Sequence, residues 1–87
     1  MTPAEKEEIR MLIEMAYMPV AFANNRLNGM DFFETAVETL KALVRKRSTI
    51  NKYEAAKVMM DFFNSQLDPK ITESECIEFA QFIASKV

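Results

Sequence analysis

The chain has 87 residues, a hydrophobic fraction of 49%, a charged fraction of 28% and a formal net charge of −2. That balance excludes a disordered tail, and one Gly with three Pro excludes a collagen-like or linker chain. The length fits a single domain over residues 1–87, near the lower limit for a chain that folds alone.

The first helix opens at Thr2-Pro3-Ala4-Glu5. Thr2 is placed to accept the N3 amide, Glu5 to reach back to the cap amide, and Pro3 occupies the first helical position at no cost. This helix is expected to run to about Tyr17. Pro19 would clash with the carbonyl of Met15, so a break is expected there, with a short helical turn through Asn24. Asn24-Asn25-Arg26-Leu27-Asn28-Gly29 reads as a loop, because Asn and Gly tolerate positive φ. A second helix is expected from about Asp31 to about Arg47. A third runs from a cap at Asn51 to about Gln66, followed by a turn at Leu67-Asp68-Pro69-Lys70. Thr72-Glu73-Ser74-Glu75 is another capping box and opens a last helix that runs almost to Val87. No segment alternates with period two over a strand's length. The expected fold is all-α: a compact four-helix bundle, or five helices if Pro19 divides the first. Met30-Asp31-Phe32-Phe33 recurs as Met60-Asp61-Phe62-Phe63, but at opposite ends of its helices, which a duplicated unit would not do.

Helical periodicity assigns the buried faces. Ile9, Leu12, Ile13 and Ala16 form one stripe of the first helix. Met11 and Met15 fall on a second, which Met18 and Phe22 extend if helical phase survives Pro19. In the second helix Phe33, Val37, Leu40 and Val44 line the core face, with Ala36 and Leu43 beside them. The third is broadly apolar. Tyr53, Ala56, Met60, Phe63 and Leu67 make its main face, and Ala55, Val58, Met59 and Phe62 widen it, as in a central helix or one packed on a second chain. The fourth has a narrow stripe of Cys76, Phe79, Ala80 and Ile83, with Phe82 to one side. Seven Phe and six internal Met are more than so small a domain readily hides, and a homodimer is expected.

Charge is segregated. Residues 1–40 carry three basic and seven acidic side chains, residues 41–60 six and one, and residues 61–87 two and five. The basic block is Lys41, Arg45, Lys46, Arg47, Lys52 and Lys57. Arg45, Lys46 and Arg47 complement a helix C-terminus, whereas Lys52, in a first turn, does not. A nucleic-acid-binding helix-turn-helix is thus the alternative function, using Arg45, Lys46, Arg47, Lys52 and Lys57. Against it, the third helix lacks the Arg, Asn and Gln face that base readout needs.

Catalytic chemistry finds little to stand on. The chain has no His, and its single Cys76 lies within an apolar stripe with no base to activate it. Carboxylate pairs such as Glu34/Glu38 and Glu73/Glu75 fall on wet faces or in a first turn, and Gly29 stands alone, so there is no phosphate loop. Asn64, Gln66, Asp68, Ile71, Thr72 and Glu75 match the spacing of an EF-hand calcium loop, which the segment faintly resembles. Pro69 replaces the glycine of its sharp turn and Asn64 its first Asp, so the segment reads as a turn and a capped helix. No catalytic residue, metal ligand or cofactor is assigned. No apolar run is long enough to span a membrane, and the acidic N-terminus is unlike a secretory signal. The lone cysteine fits a reducing cytoplasm.

The expected function is protein binding, as a small non-enzymatic regulator. Inhibitors, adaptors and phage- or plasmid-borne regulators share this profile. The expected surface is Met11, Met15, Met18 and Phe22, with Val58 and Phe62 as a second apolar edge. Glu7, Arg10 and Glu14 flank it and set orientation.

Overall fold

The computed structural model describes residues 2–24, 29–65 and 70–87, with side chains for all of these except 16–24 and 29–32. Among the described residues there are four helices and no strand: α1 (Pro3–Asn24), α2 (Gly29–Lys46), α3 (Lys52–Ser65) and α4 (Glu73–Ser85).

The start signals act as the sequence implies. The Glu5 amide donates to Thr2 Oγ1 at 3.2 Å while the Thr2 amide donates to Glu5 Oε1 at 3.0 Å, closing the first capping box. At α3 the Glu54 amide donates to Asn51 Oδ1 at 2.9 Å. Thr72 caps α4 through the Glu75 amide at 3.1 Å, and Glu75 answers to the Thr72 amide.

Two boundaries differ from expectation. No break divides the first helix at Pro19, and α1 continues to Asn24. A proline deletes its own N–H bond and strains one carbonyl but leaves the flanking bonds available, so the helix resumes beyond it. The second helix starts at Gly29 and not Asp31. Glycine's cost in a helix is lost backbone entropy, which is smallest at an end where the helix frays. The expected loop residues 25–28 and turn residues 66–69 lie outside the described residues.

One core joins all four helices. It comprises Ile9 and Ile13 of α1, Ala36, Leu40 and Leu43 of α2, Ala55, Ala56, Met59, Met60 and Phe63 of α3, Cys76, Ala80 and Ile83 of α4, and Ile50 between α2 and α3. No polar or charged residue is buried among the described residues. Both α2 and α3 touch every other helix, whereas no contact joins α1 and α4 among the described residues. The broad apolar arc of α3 therefore serves as the hydrophobic centre, with small Ala55 and Ala56 letting neighbours approach closely.

Three sequence-assigned faces shift. Leu12 is exposed, because α1 docks on its neighbours through the narrower Ile9/Ile13 edge; Ala16 lies outside the described side chains. In α2 the fully inward residues are Ala36, Leu40 and Leu43, a turn of about 60° from the expected stripe at 100° per residue. Phe33, Val37 and Val44 are half-buried at its flank, where α2 must serve α4 as well as α3. Tyr53, expected on the main face of α3, sits in its exposed first turn, and Leu67 is not described.

Candidate interaction surfaces

Helix α1 has two faces of opposite character. Ile9 and Ile13 are 1% and 0% exposed, while Met11 and Met15 are 52% and 73% exposed. At 100° per residue the two methionines stand roughly opposite the isoleucines, so whatever buries one pair leaves the other outside. Since α1 continues through Pro19, helical phase is kept as far as Met18 and Phe22, whose side chains lie outside the described residues.

A charged ridge borders the methionines. Arg10 Nε donates to both carboxylate oxygens of Glu7 at 3.1 Å, and Arg10 Nη1 donates to Glu14 at 2.9 Å. The hydrogen bond from Arg10 holds the Glu7 carboxyl below its ordinary value, and the same pairing raises the guanidinium. Beyond the ridge, Arg10, Glu14, Val58, Asp61, Phe62 and Ser65 line a groove of about 460 Å³ between α1 and α3. Val58 and Phe62 are half-buried there. The expected surface is thus divided: Met11 and Met15 on the outer face of α1, Val58 and Phe62 in the groove, and the Arg10 ridge between them.

The basic block is largely engaged by its own chain. Arg47 pairs with Glu8 at 2.6 Å, tying the end of α2 to α1. Lys57 pairs with Asp61 at 2.6 Å, a hydrogen bond that raises the ammonium group. Lys52 donates to the Val87 carbonyl at 3.2 Å, and Lys41 lies 3.7 Å from Glu38. Arg45 and Lys46 are exposed in the last turn of α2, where they complement its dipole.

The remaining polar candidates are absorbed by structure. Cys76 is 2% exposed; desolvation first, and the Asp61 carboxylate next, push its thiol up, away from the reactive thiolate. Asn64 does not present its oxygen to a cation. Its Oδ1 accepts the Ile71 amide at 3.0 Å and its Nδ2 donates to the Ile71 carbonyl at 3.5 Å, clamping the entry to α4 against the end of α3. Thr72 and Glu75 are committed to the cap. Among the described residues no three His, Cys, Asp or Glu side chains are grouped to hold a metal ion.

One surface escaped the sequence reading. Between α2 and α4 lies a groove of about 700 Å³ lined by Phe33, Val37, Phe79 and Phe82, with Glu34, Glu38, Lys41, Glu78 and Lys86 around it. The Phe33 ring lies 5.2 Å from that of Phe79 and 5.8 Å from that of Phe82, whose side chain is 46% exposed. The available signal was the i, i+3 pair Phe79/Phe82 together with the i, i+4 pair Phe33/Val37, which cluster large apolar side chains on one side of each helix.

The sequence matches no protein-family model, and no curated protein or solved structure is significantly similar to it. No described helix is long and apolar enough to cross a membrane.

Proposed function

We propose that this chain is a small, non-enzymatic, cytoplasmic protein-binding regulator, a compact four-helix bundle that pairs with a second copy of itself through the outer face of α1. One observation carries the reading: the exposure of Met11 and Met15 on a helix whose opposite face is already fully buried. Covering a large apolar side chain is worth about 1.5–3 kcal/mol. In sequence, Met11, Met15, Met18 and Phe22 are spaced 4, 3 and 4 apart, the a/d spacing of a coiled-coil seam. A seam of this kind is self-complementary, and closed two-fold pairs are the commonest assemblies. Methionine suits it, being flexible and polarizable enough to fill an imperfectly matched interface. The Glu7–Arg10–Glu14 ridge alongside favours one orientation.

The non-enzymatic part rests on the absence of His from the sequence and on the buried, raised thiol of Cys76. The alternative of a nucleic-acid interface at Arg45, Lys46, Arg47, Lys52 and Lys57 is less favoured, because Arg47 and Lys57 already have carboxylate partners. Light scattering on the purified chain distinguishes the two readings. Self-pairing predicts a dimer mass, reduced to a folded monomer by Met15→Glu, and no affinity for duplex DNA at low salt. A mass unmoved by Met15→Glu removes the seam. Salt-sensitive DNA binding abolished by Lys52→Glu with Lys57→Glu would install the alternative.

A further inference from the structure

The residues lining the α2/α4 groove are none of those of the α1 seam, and among the described residues α1 makes no contact with α4. Its floor is three phenylalanine rings and Val37, and its volume of about 700 Å³ is that of a real binding cleft. Floor and walls come from two helices, with Phe33 and Val37 one turn apart on α2 and Phe79 and Phe82 on α4. Such a trough receives the apolar side chains of a helix spaced i, i+3, i+4.

The rim decides the charge of the occupant. Both lysines at the groove are already occupied: Lys41 faces Glu38 at 3.7 Å, and Lys86 Nζ sits 5.2 Å over the Phe82 ring. Glu34 and Glu78, exposed at the rim, make no ion pair among the described residues. Because a neutral ring does not cancel the charge of Lys86, three carboxylates stand against two ammonium groups and the lining is net negative by one charge, beside aromatic faces that already attract an ammonium group in this molecule. We propose that the groove binds a basic amphipathic helix of a partner protein. Its apolar residues sit on Phe33, Val37, Phe79 and Phe82, and its lysines or arginines meet Glu34 and Glu78.

The probe is a labelled 14-residue helical peptide of leucine and lysine, followed by fluorescence anisotropy against the intact chain. Two controls accompany it: the same composition scrambled to destroy amphipathicity, and a leucine–glutamate counterpart. The ordered basic peptide is expected to bind at least about tenfold more tightly than either control, the worth of about 1.4 kcal/mol. Glu34→Gln with Glu78→Gln should weaken it several-fold, and Phe82→Ser by tenfold or more, each with an unchanged helical circular dichroism spectrum. Met15→Glu should leave it unaltered, so a failure of the α1 seam is separable from a failure here. Equal binding of scrambled and ordered peptides, or indifference to both rim and floor variants, overturns the proposal. A fall in self-association on Phe82→Ser would also overturn it, assigning the groove to a second copy. If Phe82→Ser unfolds the chain, the Glu34/Glu78 pair alone decides.

Discussion

The two-faced nature of α1 is testable with substitutions two residues apart. Ile13→Ala removes three buried carbons from a side chain with no solvent exposure, leaving a cavity in the core. Changes of this kind cost about 2–5 kcal/mol, against about 0.5–1.5 for Ile13→Val. Total stability for a domain of this size is on the order of 4–13 kcal/mol, so Ile13→Ala takes a large share. Met11→Ala, at 52% exposure, should cost no more than about 0.5 kcal/mol in the isolated subunit. Urea denaturation followed by circular dichroism at several protein concentrations separates intrinsic stability from pairing. At low concentration the order should be Ile13→Ala well below Ile13→Val, with Met11→Ala near wild type. At high concentration the wild type should gain stability that Met11→Ala does not, because a partner that binds only the folded chain stabilises by mass action. If Met11→Ala were as costly as Ile13→Ala at the lowest concentration, Met11 would lie inside the subunit, and the face assignment would be wrong.

Two further outcomes follow from local chemistry. Asn64→Ala deletes two side-chain bonds to the Ile71 backbone and should destabilise by about 1–2 kcal/mol, with hydrogen exchange fastest at the start of α4. The Glu7 carboxyl is held below its ordinary value of 4.5 by Arg10, so its contribution to stability is present above pH 4.5. That contribution is lost as pH falls through the lowered value, because the unfolded chain binds the proton more readily. Glu7→Gln should therefore lower the neutral plateau of a stability–pH profile, only slightly because the pair is exposed, and converge on the wild type at low pH, which flattens the acid limb.

The parts of this fold legible in the sequence are those fixed by neighbours along the chain. Thr2, Asn51 and Thr72 mark helix starts because a cap closes within one turn, and all three caps are present. The methionine stripe was legible for the same reason, since periodicity on a continuous helix places Met11 and Met15 opposite Ile9 and Ile13. What the sequence concealed depends on how helices cross. The rotation of α2 toward Ala36 and Leu43 follows from its contacts with three helices at once, and no pattern within α2 encodes that. The aromatic groove has the same origin: Phe33 and Phe82 are 49 positions apart and meet only because α2 lies against α4. Ile50 is 7% exposed in a short connection that helical periodicity does not cover. Pro19 misled because a rule about one hydrogen bond was applied to a whole helix.

The most direct test of the central claim is the solution mass of the wild-type chain beside Met15→Glu, measured by light scattering at matched concentration. A dimer near 20 kDa, twice the 10.0 kDa chain, that becomes a helical monomer on substitution is the predicted result. A wild-type monomer, or a dimer indifferent to a carboxylate at position 15, would contradict it.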